Sequence, residues 1–270
     1  MARLNEQQRR LALVLAAALA LIATVAVTLL AGGGSSGRED AAAKKPGAGP
    51  RPGGGQHARP PAATVKPVPE DIAHATESGG RAVNITIDDG PDPTWTPQVL
   101  EVLDEHGVKA TFCMIGPQAK AHPDLVKRVV GAGHRLCNHT VGHDVTMDRK
   151  PVAYQERQIL DSLKMIEEAS DGAEVPYYRA PGGAFTPDSR RIAAAHGMRP
   201  LGWNVDTKDF ELPGSDRIVR TVKAELANGP TILFHDGGGQ RGQTVAALRQ
   251  VLPWLKERGY GFSFPEIRPS

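Results

Sequence analysis

Short apolar runs rich in β-branched residues alternate with longer amphipathic segments between residues 83 and 264, and this alternation is the feature that most limits the possible folds. Strands that alternate with helices are typical of a parallel sheet, because a parallel connection needs a crossover segment. The alternation therefore predicts an α/β domain built on a parallel sheet or barrel. We predict seven strands, at residues 83–88, 109–115, 135–138, 176–180, 199–205, 230–234 and 260–264. We predict helices from an N-cap at Thr96 to Gly107 and at residues 123–130, 153–169, 187–196, 216–226 and 244–258.

The amino-terminal part of the chain does not follow this alternation. Residues 11–31 carry no charge and follow an arginine-containing stretch at residues 1–10. A membrane span needs about 20 apolar residues, whereas the apolar part of a secretory signal has roughly 7–15. We therefore predict that residues 1–10 are cytoplasmic and that residues 11–31 form a transmembrane signal anchor. The alternative is a signal peptide that is cleaved. Residues 32–78 are rich in Gly and Pro and predict a disordered linker, which leaves a folded domain at residues 79–268 outside the cytoplasm.

The overall charge argues against one class of partner. The formal net charge is +2, so bulk charge gives no reason to expect a nucleic-acid partner. We expect a monomer that contacts the membrane through its amino-terminal segment.

Polar side chains follow almost every predicted strand at its carboxyl end. In parallel barrels this end of the sheet carries the chemistry. The sequence therefore predicts a single site at this end. Its candidate residues are Asp88, Asp89, His139, His143, Arg179, Asp206, Asp209 and His235.

Two short patterns among these residues indicate a metal. His139 and His143 are four residues apart, a spacing that places two imidazoles on one face of a helical turn. Asp88 and Asp89 are adjacent carboxylates, and a cation between them would offset their repulsion. One aspartate could bind the ion while the other accepts a proton from water. The alternative readings are two exposed histidines and a simple Asp-initiated turn.

Five segments in order, TIDDGP, HTVGH, RAPGG, DTKDF and ILFHD, resemble the motifs of the polysaccharide deacetylases (carbohydrate esterase family 4, the NodB-homology domain). The resemblance covers roughly residues 80–265. It implies a distorted (β/α)7 barrel and a metal-dependent hydrolase that removes acetyl groups from a polysaccharide.

The resemblance also implies roles for individual residues. Asp88 would be the general base, oriented by Arg179, and His235 would be the general acid, paired with Asp209. Asp206 lies in the same loop and is the alternative partner of His235. Asp89, His139 and His143 would bind the metal, and Thr140 would brace their loop. Pro181 would shape the wall of the substrate groove, and the Gly182 N–H would bind the oxyanion. Leu233 and Phe210 would line the pocket for the acetyl group.

The chain departs from the family pattern in three places. Ile87 stands where Phe is usual, Gly182-Gly183 stands where an aromatic residue often follows Pro, and Phe210 stands where Trp is common. The first change is expected to face the core. The second is expected to open the groove, and the third bears on the size of the acetyl pocket and the choice of substrate. Two histidines and a carboxylate suit Zn²⁺, with Co²⁺, Ni²⁺ or Mn²⁺ as alternatives.

Cys113 and Cys137 fall on successive predicted strands. If the strands are neighbours, the two residues can form a disulfide outside the cytoplasm. The alternative is a pair of buried free thiols.

The leading substrate is peptidoglycan N-acetylglucosamine, because an anchored enzyme on a tether faces the cell wall. Chitin oligomers come second. An O-acetyl esterase acting on xylan and a non-catalytic glycan-binding module are the other hypotheses. A metallophosphoesterase would need more carboxylate ligands than the motifs contain.

Overall fold

The computed structural model describes residues 66–268. This part of the chain contains eight strands in one sheet, and every pairing between them is parallel. The order is β5-β4-β3-β2-β1-β7-β6, and β8 pairs with the start of β1. The predicted α/β class is therefore confirmed. The strands are β1 (Ala82–Asp88), β2 (Thr111–Met114), β3 (Arg135–Asn138), β4 (Tyr177–Tyr178), β5 (Arg199–Pro200), β6 (Val205–Asp206), β7 (Thr231–His235) and β8 (Gly261–Phe262).

Seven α-helices connect these strands within the described residues. They are α1 (Trp95–Glu105), α2 (Gly116–Ala121), α3 (Pro123–Gly131), α4 (Val152–Ala169), α5 (Pro187–Ala195), α6 (Ser215–Glu225) and α7 (Gly242–Glu257). The short helix α2 was not predicted. The predicted N-cap at Thr96 is wrong, because Asp92 accepts hydrogen bonds from the N–H groups of Thr94 and Trp95, at 2.7 and 3.0 Å. Thr96 lies inside the first turn, where its side chain is buried.

The predicted strand at residues 199–205 is two strands at opposite edges of the sheet. β5 pairs with β4, whereas β6 pairs with β7. The four residues between them carry the chain from one edge to the other. The single strand predicted at residues 199–205 thus contributes to both edges of the sheet. For this reason the structure has eight strands where the sequence predicted seven. The architecture agrees with the distorted (β/α)7 barrel that the resemblance implies.

Successive side chains of each strand point alternately to the helix-covered face of the sheet, where the main apolar core lies, and to its inner face. Val83, Ile85 and Ile87 of β1 join the helices in the main apolar core, as expected for Ile87. Asn84, Thr86 and Asp88 point to the opposite side, because successive side chains of a strand face opposite ways. Asp88 therefore reaches the inner side, where a second small cluster contains Cys113, Cys137, Tyr177 and Leu201.

Cys113 and Cys137 are direct partners on β2 and β3 and form a disulfide, with their Cα atoms 4.1 Å apart. Both side chains are fully buried. The bond crosslinks two neighbouring strands on the inner side of the sheet, one residue before the carboxyl end of each strand.

The folded domain begins before the predicted boundary at residue 79. Ala73 is buried, and its backbone donates to Pro200 O at 2.8 Å and accepts from Gly202 N–H at 2.9 Å. Thr76 forms an antiparallel bridge with Pro265. The last part of the predicted linker therefore packs on the domain. Residues 68–73 include apolar side chains, but the prolines around them made this segment resemble the rest of the Pro-rich linker.

The predicted n-region, membrane anchor and first part of the linker, residues 1–65, lie outside the described residues. Among residues 66–268, no helix is both long and apolar enough to cross a membrane.

Candidate active site

Asp89, His139 and His143 converge at the carboxyl end of the sheet, and we refer to them as the ligand cluster. Their ligand atoms all lie within 4.8 Å of one another. His143 Nε2 is 3.2 Å and His139 Nε2 is 3.6 Å from Asp89 Oδ1. Two atoms each about 2.1 Å from a tetrahedral zinc ion lie roughly 3.4 Å apart. The observed spacings therefore suit one shared ion.

The chemistry of the donor atoms also fits a cation. His139 Nδ1 lies 2.8 Å from Arg179 O, and since a carbonyl oxygen only accepts, Nδ1 carries the proton and Nε2 offers its lone pair. Burial lowers the pKa of His139 to about 3, so the ring is neutral. Asp89 Oδ1 is buried and accepts no hydrogen bond from the described residues. A carboxylate oxygen with no donor is costly unless a cation satisfies it.

Asp88 lies beside the ligand cluster and is paired with Arg179. Arg179 Nη1 donates to Asp88 Oδ1 at 2.7 Å, while Asp88 Oδ2 is 3.6 Å from His139 Nε2. The guanidinium also donates to Leu201 O at 3.1 Å and Gly202 O at 2.9 Å, so the segment between β5 and β6 fixes its plane. Burial raises the pKa of Asp88, and the positive charge of Arg179 only partly opposes this effect. A raised pKa makes a carboxylate a stronger proton acceptor.

His235 and Asp209 form a second buried pair. His235 Nδ1 lies 2.6 Å from Asp209 Oδ1, and Asp209 Oδ2 accepts from the His235 backbone N–H at 2.9 Å and from Thr244 Oγ1 at 2.7 Å. Burial lowers the pKa of His235, but the hydrogen-bonded Asp209 carboxylate outweighs burial and raises it overall. Asp206 instead forms an ion pair with the exposed Lys208 at 2.7 Å. Asp209, and not Asp206, is therefore the partner of His235.

Three residues at the site have left-handed backbone conformations that are uncommon outside glycine. Their φ angles are 78° for Asp89, 69° for Thr140 and 46° for His143. Such conformations persist only where the surroundings hold them, and they concentrate at functional sites. Thr140 contacts the neighbouring turn through its backbone, because its carbonyl accepts from Gly116 N–H at 3.0 Å. Its buried hydroxyl has no partner among the described residues.

The residues predicted to contact substrate surround the same end of the sheet. Pro181 and Gly182 begin a 3₁₀ turn after β4, with Pro181 buried and Gly182 exposed. Leu233 lies on β7 two residues before His235, hence on the same side of the strand. Phe210 is 43% exposed, and its ring centroid lies 5.3 Å from that of His235. Their predicted roles in substrate binding stay predictions.

Sequence reasoning missed four residues that contact the site. Thr86 accepts a hydrogen bond from Arg179 at 2.9 Å, and its position two residues before Asp88 on the same strand could have revealed it. Thr244, the partner of Asp209, lies in the first turn of α7, where nothing in the sequence marks it. Asp236 directly follows His235 and resembles an ordinary turn residue in the sequence. It is fully buried and accepts from Thr96 Oγ1 at 2.6 Å, and Gly237 packs against the Asp89 backbone.

The chain was compared with known protein families and curated proteins. A family model described as "Polysaccharide deacetylase" matches residues 75–201. The chitooligosaccharide deacetylase of Sinorhizobium fredii (strain NBRC 101917 / NGR234) is 41% identical over 195 residues, which cover 68% of this chain and 89% of the relative. The peptidoglycan-N-acetylglucosamine deacetylase of Bacillus cereus is 40% identical over 184 residues, which cover 67% of this chain and 85% of the relative.

Solved structures give the same result. The Bc1960 peptidoglycan N-acetylglucosamine deacetylase matches with a TM-score of 0.67 and 29% identity, over 73% of this chain and 95% of that chain. The Bacillus anthracis protein BA3943, described as a CE4 family pseudoenzyme, matches with a TM-score of 0.63 and 29% identity, over 67% of this chain and 63% of that chain. The fold is therefore shared by active and inactive proteins, and the site residues must decide between them.

Proposed function

Because the chain belongs to the polysaccharide deacetylase family, we propose that it removes the acetyl group from N-acetylglucosamine units of a polysaccharide outside the cytoplasm. One observation carries the proposal. Asp88 and His235, which are direct cross-strand neighbours on β1 and β7, lie beside the ligand cluster, each with its own buried partner. Two groups with opposite protonation states at one pH are what hydrolysis of an amide requires.

Asp89, His139 and His143 would hold one divalent ion, which when bound supplies Lewis-acid polarisation of the amide carbonyl and lowers the pKa of water. Two imidazoles and one carboxylate favour Zn²⁺, while Co²⁺, Ni²⁺ and Mn²⁺ accept the same donors. The neutral state of His139 supports this assignment, because a protonated imidazole cannot bind a cation.

The remaining residues divide the proton transfers. Asp88 accepts a proton from the attacking water, and Arg179 keeps its carboxylate oriented. The Gly182 N–H donates to the oxygen on which negative charge develops. His235, held protonated by Asp209, donates from Nε2 to the departing nitrogen, because an amine cannot leave as an anion.

The substrate we propose first is peptidoglycan, and the second is chitin oligomers. The relatives' names include both chitooligosaccharide and peptidoglycan deacetylases. The uncharged residues 11–31 and the Gly/Pro-rich segment after them favour an enzyme tethered to the membrane and facing the cell wall. That location would also suit the Cys113–Cys137 disulfide, since disulfides persist outside the cytoplasm.

Acetate release by the purified full chain tests the proposal. Peptidoglycan, chitin oligomers and acetylxylan are each incubated with the chelated protein and again after Zn²⁺ is restored. We expect release from one of the first two substrates, lost on chelation and recovered with Zn²⁺. Asp88→Asn should lower the rate by about 10² to 10⁴-fold, whereas Asp206→Asn, which removes only an ion pair with the exposed Lys208, should not.

The other outcomes identify the competing hypotheses. Release from acetylxylan alone would identify an O-acetyl esterase. If no substrate releases acetate although Zn²⁺ binds, the proposal is wrong and a non-catalytic glycan-binding role takes its place.

A further inference from the structure

The residues that follow the proposed acid, Asp236 and Gly237, contact the turn that carries the metal ligand Asp89. A β-carbon built on Gly90 would lie 2.7 Å from Asp236 Oδ2, so the missing side chain of Gly90 is what lets the Asp236 carboxyl group in. A β-carbon built on Gly237 would lie 2.5 Å from the Asp89 carbonyl carbon. The two turns thus interlock, each through a glycine that leaves room for the other.

Asp236 is itself fixed from two directions. Its backbone N–H donates to Asp88 O at 3.0 Å, which ties it to the end of β1. Its Oδ2 accepts from Thr96 Oγ1 at 2.6 Å, and the same hydroxyl accepts from Asp92 N–H at 2.7 Å, which ties it to the start of α1. The side chain is fully buried, and the bond from Thr96 holds its carboxyl group beside Gly90.

We propose that Asp236 and Gly237 are positioning residues for the metal ligand Asp89, an inference that rests on the proposed function. Asp89 has a φ of 78°, a conformation that a non-glycine residue keeps only under constraint. The contacts of Asp236 and Gly237 with the Asp89–Gly90 backbone supply that constraint from the strand that carries His235. The interlock therefore couples the position of the metal ligand to that of the proposed acid.

Asp236 acts through Asp89 and not as a ligand itself. Among residues 66–268, the side chains that could share an ion are Asp89, His139 and His143, and Asp236 does not belong to that group. Its carboxyl group instead contacts Gly90 and Thr96. Groups that orient a ligand in this way typically change metal affinity by 10 to 100-fold when they are removed.

A double-mutant cycle at Gly90 and Asp236 in the full chain tests the proposal. Gly90 and Gly237 do not have left-handed φ angles, so alanine at either position adds a steric overlap but no backbone strain. Gly90→Ala should weaken Zn²⁺ binding at least tenfold, because the new methyl group overlaps the Asp236 carboxyl group. Asp236→Ala should weaken it about tenfold. The double variant should bind Zn²⁺ more tightly than Gly90→Ala alone, since the overlap is gone.

Zn²⁺ affinity is measured by competition with a chromogenic chelator, and the absorption spectrum of bound Co²⁺ reports ligand geometry separately from activity. Gly131→Ala is the matched control, because Gly131 has no left-handed φ and no atom near its missing side chain. Asp236→Asn, which can still accept from Thr96, should keep an affinity close to that of the unchanged protein. Unfolding of each metal-free variant shows whether it folds. If Gly90→Ala does not fold, the two Asp236 variants decide.

The outcomes separate this inference from the proposed function. If the unchanged chain binds neither Zn²⁺ nor Co²⁺, the proposed function fails. If it binds them and Asp236→Ala binds equally well with an unaltered Co²⁺ spectrum, the positioning role is refuted. A double variant no better than Gly90→Ala would also overturn it, because Asp236 would then not be the group that Gly90 accommodates.

Discussion

Replacing Asp209 by Asn should make His235 a weaker base without changing the ligand cluster. The bond between His235 Nδ1 and Asp209 Oδ1 is 2.6 Å long, and both residues are buried. The carboxylate raises the pKa of His235 against the effect of burial, so its loss should let burial lower that pKa. His235 would then lose its proton at a lower pH and could no longer act as an acid above it.

The size of the effect follows from the kind of bond that is lost. A hydrogen bond to a charged group contributes about 1.5–3 kcal/mol, and 1.36 kcal/mol corresponds to one pH unit. The alkaline limb of the pH–rate profile should therefore move to lower pH by about one to two units. The amide has only one acceptor oxygen, so it cannot accept from both His235 Nδ1 and the His235 backbone N–H, and the lost bond should lower the free energy of unfolding by about 1–3 kcal/mol.

The assay is kcat for acetate release between pH 5 and 9 with the Zn²⁺-loaded full chain, together with urea unfolding. Asp206→Asn is the matched control, because Asp206 ends β6 three residues before Asp209 and its side chain pairs with exposed Lys208. Its alkaline limb should stay in place. If Asp209→Asn lowers the rate but leaves the alkaline limb where it was, His235 is not the group that titrates there, and the reasoning fails.

Two further changes test other parts of the structure. Arg179→Met leaves the buried Asp88 carboxylate without its cation, so we expect unfolding in urea to be easier by about 3–5 kcal/mol and the acid limb of the pH–rate profile to move to higher pH. An unchanged acid limb would contradict the role of Asp88 as base. Replacing Cys113 and Cys137 together by Ala removes a link across a sequence separation of 24 residues, which should lower the free energy of unfolding by about 3 kcal/mol. Equal urea midpoints for this variant and the oxidised protein would show that the crosslink does not stabilise the fold.

The site could be largely predicted because its residues depend on local features of the chain. Asp88, His139, Arg179 and His235 each end a strand or directly follow one, and parallel strands bring such positions to one edge. His139 and His143 share the ligand cluster as predicted. The helical turn expected from their spacing is wrong, because the segment is a bend in which Thr140 and His143 have left-handed φ angles of 69° and 46°. The class of fold could be predicted for the same reason, since apolar periodicity is a local property of each segment.

What could not be predicted depends on contacts between distant segments. Nothing within residues 199–205 indicates that the two ends of this segment pair at opposite edges of the sheet, because that depends on how far the sheet has curled by then. Likewise, Ala73 belongs to the domain only because Pro200 and Gly202 offer it backbone partners. The contact between Gly90 and Asp236 joins residues far apart in sequence, and each of the two reads locally as an ordinary turn residue.

The adjacent aspartates show how backbone conformation completes what sequence pattern begins. On a regular strand, consecutive side chains point to opposite faces, so Asp88 and Asp89 could not both reach the inner side. The structure resolves this at Asp89, whose φ of 78° ends the extended conformation one residue after β1. As a result, Asp88 Oδ2 and Asp89 Oδ1 each lie 3.6 Å from His139 Nε2. Two carboxylates thus approach one imidazole nitrogen, an arrangement that favours a cation among them and gives each aspartate a separate task.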